Sequence, residues 1–237
     1  MSEPRHDQVT VATDDGEMPA HLWVPEGGTG AGVLLLQEIF GVSGYIRRRA
    51  EDIASQGYVV LAPEIYWRVD PEPIDESAEG AINEAMGRAG QLDWPTTVRD
   101  AVHALQHLRG RDEVRGGTGV VGFCFGGGLG FNVAADEQPD VLVSYYGSAI
   151  PGLLDRAPEV TAPSLHHFGL ADDYIPAQTV REIEAAVTAD NADADVFTYE
   201  GANHAFDNWN FVLHDKDASA LAWERTVAFL HRELPTK

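Results

Sequence analysis

The sequence contains a single cysteine, Cys124, and no long hydrophobic run. With one cysteine no internal disulfide can form, which is typical of proteins from a reducing compartment. No stretch of about 18 consecutive apolar residues is present, so we expect no membrane span. Residues 1–10 are polar and lack the apolar centre of a signal peptide. Together these absences predict a cytoplasmic protein with a free thiol.

Basic residues are also scarce. The sequence has 16 Lys and Arg residues against 38 Asp and Glu, and its formal net charge is −22 at pH 7. Such a charge repels nucleic acids and anionic membranes, so neither is expected as a partner. The acidic, lysine-poor composition favours a salt-loving host, in which concentrated cations screen the repulsion between like charges. The alternative is an acidic protein from a high-GC, arginine-preferring organism.

The distribution of apolar residues predicts one α/β domain. A length of 237 residues with 44% hydrophobic content suits a single domain with a complete core, here residues 1–237. Apolar runs and an opening hairpin predict strands at 9–13, 21–24, 33–36, 58–61, 118–121, 141–145, 164–168 and 196–199. Helical patterns lie at 43–56, 96–108, 127–135, 176–189 and 218–232. This alternation predicts a mostly parallel, doubly wound sheet with helices on both faces.

The most informative stretch is Gly122-Phe123-Cys124-Phe125-Gly126, between the predicted strand 118–121 and a helical pattern of small residues at 127–135. Strand, tight turn and helix are the context in which G-x-S-x-G exposes a nucleophile in the α/β-hydrolase fold. The glycines are needed because the nucleophile sits in a strained backbone with no room for neighbouring side chains. Cys124 is therefore predicted to be a thiol nucleophile. The alternative is a small buried hydrophobic residue at the end of a strand.

Such a nucleophile needs a base, and the base needs an acid that orients it. In α/β-hydrolases the three follow along the chain in the order nucleophile, acid, base. Asp172 lies in the loop after the predicted strand 164–168, and His204 lies in the loop after strand 196–199. Order and loop position together predict a triad of Cys124, His204 and Asp172.

Over nearly its whole length the chain resembles the dienelactone hydrolase family. Besides the turn at Cys124, the most specific segment is Gln37-Glu38-Ile39-Phe40-Gly41. The resemblance implies that Glu38 contacts the catalytic thiol until substrate displaces it, after which the thiol ionises toward the histidine. It also implies an oxyanion hole formed by the backbone amides of Ile39 and Phe125. The Phe125 amide suits this role because it opens a helix and carries the positive end of the helix dipole.

The sequence departs from this family where the substrate's carboxylate is held. The best-known members hold it with two arginines, one on a lid segment and one four residues past the histidine. The second position is Asn208 here, and the lid-like segment 64–92 is acidic, with Arg68 and Arg88 as its basic residues. Arg88, Arg68 and Asn208 are therefore the expected substrate-binding residues. A carboxylated substrate would meet the acidic side chains of the lid, so we expect neutral substrates to be preferred.

The sequence therefore predicts a hydrolase that cleaves small ester or lactone bonds through an acyl-cysteine intermediate. His204 would take the thiol proton and later activate water, while Asp172 fixes the tautomer of the imidazole. No metal or organic cofactor is required, and a monomer or small homo-oligomer is expected. A general carboxylesterase or thioesterase on the same site is one alternative. Another, from a different class, is a non-catalytic binding module or a redox sensor with Cys124 as its oxidisable thiol.

Overall fold

The computed structural model describes residues 3–236, and within these residues eight strands form one sheet. The strands are β1 (Arg5–Thr13), β2 (Gly16–Val24), β3 (Gly30–Leu36), β4 (Val59–Pro63), β5 (Val114–Phe123), β6 (Val141–Tyr145), β7 (Ser164–Gly169) and β8 (Ala194–Tyr199). Their order across the sheet is β1-β2-β4-β3-β5-β6-β7-β8. The β1–β2 and β2–β4 pairs are antiparallel and all other pairs are parallel. The mostly parallel sheet predicted from the sequence is confirmed.

Helices cover both faces of this sheet. They are α1 (Gly44–Ser55), α2 (Ala81–Ala89), α3 (Trp94–Arg109), α4 (Phe125–Glu137), α5 (Ala177–Val187) and α6 (Lys216–Glu233). Because β4 and β5 flank β3 on opposite sides, right-handed crossovers place α1 and α3 on opposite faces. Helix α6 lies on the side of α1, since Arg49 and Ser219 come within 3.5 Å of each other. The doubly wound α/β fold is thus confirmed.

Local chemistry sets where several of these elements begin. Helix α6 begins two residues before the predicted 218–232 because the side chain of Asp215 caps it, accepting hydrogen bonds from the amides of Asp217 and Ala218. The side chain of Asp93 caps α3 in the same way, and a proline follows in the first turn. Strand β3 is buried along its whole length, which explains its continuous apolar run.

The segment 64–92 contains a helix that the sequence patterns did not predict. Helix α2 begins after Gly80, whose φ of 84° is readily adopted only by glycine. Around α2 the segment packs through a small apolar cluster, separate from the main core, made of Phe40, Ile74, Ala81 and Ala85, whereas Ile65 near its start belongs to the main core. Few apolar contacts therefore hold α2 against the rest of the fold.

No helix within residues 3–236 is long and apolar enough to cross a membrane.

Candidate active site

Cys124 occupies a strained turn between β5 and α4. Its backbone has φ 52° and ψ −112°, a region that residues with side chains rarely adopt. A Cβ atom at Gly122 would overlap the backbone of Gly126, and one at Gly126 would overlap the carbonyl of Leu36. The tight turn from β5 into α4 therefore requires Gly122, the close approach of α4 to β3 requires Gly126, and together they hold the strained residue in place.

His204 connects the thiol to the acid. Its Nε2 lies 3.0 Å from Sγ of Cys124, and its Nδ1 lies 2.7 Å from Oδ2 of Asp172. The other oxygen of Asp172 accepts hydrogen bonds from the backbone amides of Tyr174 (2.7 Å) and Ile175 (2.9 Å). These amides orient the carboxylate, so that Nδ1 faces the acid and Nε2 faces the sulfur. The structure thus brings together the three residues selected from the sequence.

Burial and charge act in opposite directions on His204. Burial disfavours the imidazolium, but the Cys124 sulfur and the Asp172 carboxylate favour it and raise the pKa of His204 to about 11. Burial also opposes the charged form of Asp172, yet the hydrogen bonds from His204 and the two amides keep the pKa of this carboxyl below its usual range. The site therefore favours a protonated His204 between the Cys124 sulfur and the Asp172 carboxylate.

The two amides expected to form the oxyanion hole border the thiol. Phe125 is the first residue of α4, where a backbone amide has no partner inside the helix. Ile39 lies in the turn after β3, and this turn meets the start of α4 where Gly126 approaches the backbone of Leu36. Ile39 and Cys124 line the same cavity. Both residues thus lie on segments next to Cys124: Phe125 follows it in the chain, and Ile39 lines the same cavity.

Glu38 is buried beside the thiol, with 1% of its surface exposed. It accepts hydrogen bonds from the side-chain amide of Asn208 (2.7 Å) and the hydroxyl of Tyr146 (3.1 Å). Burial raises the pKa of Glu38 to about 7, against the opposing effects of Asn208, His204 and Tyr146. In the described chain the Cys124 sulfur hydrogen-bonds to His204, so the expected contact of Glu38 with the thiol is not observed. Asn208, expected to bind substrate, is itself buried and holds this carboxyl.

The two lid arginines do not line the catalytic cavity, although the sequence suggested both as substrate-binding residues. Arg68 pairs with Asp100 at 2.9 Å and with Asp15. Arg88 donates to the carboxylate of Asp70 at 2.9 Å and to backbone carbonyls of the lid. Acidic neighbours on the same surface occupy the donors of both guanidinium groups, so neither is available at the thiol.

A cavity of about 160 Å³ opens onto Cys124 and His204. Its other polar lining residues are Glu38 and Ser148. The remaining walls are largely apolar and come from the turn after β3, from α2 and from the loops after β7 and β8: Ile39, Phe40, Ile82, Met86, Tyr174, Ala205, Phe211 and Leu213. Within the described residues no lysine or arginine contributes to this lining.

Two tyrosines that sequence reasoning missed lie against the site. Tyr146 follows β6 directly, with a strained φ of 37°. The ring of Tyr174 lies 5.1 Å from that of His204 at the mouth of the cavity. A residue at the carboxyl end of a parallel strand is a common position for a ligand site, and this signal could have identified Tyr146. Tyr174 has no such signal, because its place depends on the path of its loop.

A buried ion pair holds the loop that carries the catalytic histidine. Arg49 of α1 donates two hydrogen bonds to Asp207, at 2.8 and 2.7 Å, and the hydroxyl of Tyr45 donates a third. The guanidinium lies between the rings of Trp209 and Trp223, at 4.8 and 4.7 Å from their centres. Movement of this loop would separate a buried pair, which is strongly unfavourable.

A nucleophile turn after β5, an acid after β7 and a histidine after β8 on a doubly wound sheet define the α/β-hydrolase class. Across residues 3–236 no group of three or more His, Cys, Asp or Glu side chains is arranged to hold a metal ion.

Comparison with known proteins places the chain within that class. The profile of the dienelactone hydrolase family matches residues 18–234, and the chain belongs to this family. It is 34% identical over 199 residues to a carboxymethylenebutenolidase of Pseudomonas putida, with 84% of each chain covered. It is 32% identical to a carboxymethylenebutenolidase of Pseudomonas sp. (strain P51), with 94% of each chain covered. The resemblance inferred from the sequence is confirmed, and the protein is a hydrolase that acts on ester or lactone bonds.

A solved structure agrees with this assignment. The crystal structure of a candidate dienelactone hydrolase from Klebsiella pneumoniae superposes with a TM-score of 0.85 at 26% identity, covering 98% of this chain and 100% of the other. The α/β-hydrolase fold predicted from the sequence is confirmed.

Proposed function

We propose that Cys124 is the nucleophile of this hydrolase and that the substrates are small esters or lactones without a carboxylate. The observation that carries the proposal is the continuous chain of hydrogen bonds from Cys124 through His204 to Asp172, with distances of 3.0 and 2.7 Å. The Cys124 sulfur, at one end of this series of hydrogen bonds, borders a cavity with largely apolar walls. An idle binding or redox module would not require this alignment.

In the first half of the reaction the sulfur attacks the carbonyl carbon and the carbonyl oxygen becomes an oxyanion. The amides of Ile39 and Phe125 stabilise that charge, at a typical contribution of about 3 kcal/mol for each donor. His204 then donates its proton to the departing alkoxide, and the C–O bond breaks to leave an acyl-cysteine. When the substrate is a lactone, the released alcohol remains attached to the acyl group.

The second half regenerates the thiol. The neutral imidazole of His204 removes a proton from water, and the resulting hydroxide attacks the acyl carbon at the same oxyanion site. The Cys124 sulfur leaves as thiolate and the carboxylic acid is released. Asp172 remains ionised throughout and keeps Nε2 directed at the reacting atoms.

Asn208 and the lid support a preference against carboxylated substrates. The relatives named carboxymethylenebutenolidase take their name from a carboxylated lactone. In this chain no lysine or arginine lines the cavity among the described residues, and the buried Glu38 opposes a second carboxylate. Neutral esters, as cleaved by a general carboxylesterase or thioesterase, fit the same walls.

We further propose that residues 64–92 act as a lid within a single domain spanning residues 1–237. Ile82 and Met86 of α2 line the cavity, which supports that role. A free nucleophilic thiol functions best where it stays reduced, which supports a cytoplasmic location. A monomer or small homo-oligomer, without nucleic acid or membrane partners, is consistent with the charge of −22.

The decisive test replaces the nucleophile. The Cys124→Ala variant should keep its fold and lose several orders of magnitude in kcat, while Cys124→Ser should retain weak activity. In the wild type, iodoacetamide should modify one residue, and substrate should protect it. Substantial ester hydrolysis by a folded Cys124→Ala protein would refute the mechanism.

A further inference from the structure

A second depression adjoins the catalytic cavity. This groove has a volume of about 690 Å³ and lies between the lid and residues 210–212 of the loop that follows His204. Ile82 and Phe211 form walls of both the cavity and the groove. A substrate arm that extends from the thiol past these two side chains therefore enters the groove.

Glu76 lies in the wall of this groove, and one of its two carboxylate oxygens is enclosed by protein without a partner. The residue is only 8% exposed, and its Oε1 is buried without a hydrogen-bond partner in the described residues. Burying a carboxylate without a partner is costly, so native proteins almost always satisfy such atoms. The neighbouring Asp75 shows the usual case, since it is exposed and accepts hydrogen bonds from Ser77.

Among residues 3–236, no lysine, arginine or histidine lines this groove. Arg88 of the lid is already paired with Asp70 and Glu84. In the cavity the protonated His204 faces the sulfur of Cys124. The carboxyl groups of the cavity and groove, together with the net charge of −22, thus favour the entry of a positive group.

We propose that this groove binds a cationic group of the substrate, an ammonium or trimethylammonium, with Glu76 as its counter-ion. The proposal rests on the ester hydrolysis proposed above and narrows its substrates to those with a cationic arm. Phe211, in the shared wall, supplies an aromatic ring of the kind that attracts such cations. A buried charge-assisted contact of this type typically changes affinity by about tenfold to a hundredfold.

The test compares esters that differ only in the end of the acyl arm. Three 4-nitrophenyl esters would carry a trimethylammonium, a tert-butyl or a carboxylate terminus; the first two have nearly the same shape. We expect kcat/KM to be highest for the trimethylammonium ester, lower for the tert-butyl ester and lowest for the carboxylate ester. In Glu76→Gln the ratio of the first to the second should fall by about tenfold or more.

Glu79→Gln is the matched control, because Glu79 is exposed in the same lid, does not line the groove and carries the same charge. It should leave the wild-type ratio unchanged. A ratio near one in the wild type, or an equal fall in both variants, would overturn the proposal even if Glu76→Gln folds poorly.

A binding measurement separates this inference from the proposed reaction. Alkyltrimethylammonium should protect Cys124 from iodoacetamide at lower concentration than its tert-butyl analogue, and this difference requires no turnover. Hydrolysis of the tert-butyl ester without any preference for the trimethylammonium ester would refute cation binding in the groove and leave the proposed hydrolysis intact. Preferential protection without hydrolysis of any ester would support the groove and refute the proposed function.

Discussion

Replacing Glu38 by glutamine should remove a pH dependence of stability that burial creates. Burial raises the pKa of Glu38 from 4.5 to about 7 in the folded protein. The folded protein then holds the proton more tightly than the unfolded chain, so this stabilisation is complete below about pH 4.5 and is lost as the pH rises through 7. A pKa difference of this size corresponds to about 3 kcal/mol of the free energy of unfolding.

Urea unfolding at about pH 5 and about pH 8 measures the effect, because most of the 3 kcal/mol, about 2.5 kcal/mol, falls between these values. The wild type should lose about that much more stability over the interval than Glu38→Gln does. Glu79→Gln removes an exposed carboxylate and should behave like the wild type. An identical loss in the wild type and in Glu38→Gln would show that Glu38 does not titrate in this range.

The same carboxyl should control the reactivity of Cys124. An ionised Glu38 opposes thiolate formation, so Glu38→Gln should be alkylated by iodoacetamide at lower pH than the wild type. Asn208→Ala removes a hydrogen bond to the carboxylate, which typically corresponds to about 1–2 pH units, and should raise the pKa of Glu38 further. Its alkylation at about pH 8 should then approach that of Glu38→Gln. If the pH profile of alkylation is unchanged in both variants, Glu38 does not control the ionisation of Cys124 and its role is structural.

The remaining predictions concern the acid, the substrate and the buried histidines. Asp172→Asn should greatly reduce kcat by favouring the wrong tautomer of His204, whereas Asp173→Asn should be mild; the opposite ranking would place the acid one residue away. A neutral ester should exceed its carboxylated analogue in kcat/KM by roughly thirtyfold, and this difference should be smaller at high than at low potassium chloride concentration. A preference for the carboxylated ester at both concentrations would instead support carboxylated diene-lactones as the substrates. Burial lowers the pKa of His166 to about 4 and also lowers that of His167 well below its usual value, so stability should fall as the pH drops below about 6.5, less steeply in His166→Gln. Equal acid sensitivity in that variant would contradict this assignment.

Local sequence patterns were sufficient to predict the sheet and to select Cys124, Asp172 and His204, which the structure brings within hydrogen-bonding distance of one another. Gly122 is required by overlap with Gly126 inside the same turn, which is a local constraint, whereas Gly126 is required by the approach of Leu36 from β3. Parallel strands end at one edge of a sheet, so loop residues such as Asp172 and His204 could be assigned from chain order. Helix α2 escaped prediction because it is short, has no side-chain cap and depends on the apolar cluster beneath it.

The partners of the long polar side chains were decided by tertiary structure alone. The sequence suggests that Arg68 and Arg88 are unpaired cations of the lid, but in the fold both form ion pairs with nearby carboxylates. Asn208 and Glu38 are 170 residues apart, yet they form one buried hydrogen bond. Sequence by itself determined which residues could perform the chemistry, because the turn at Cys124 is local and the order of the elements along the chain is given directly by the sequence. Only the folded chain decided which of the charged groups remain unpaired, because burial and pairing depend on segments that lie far apart along it.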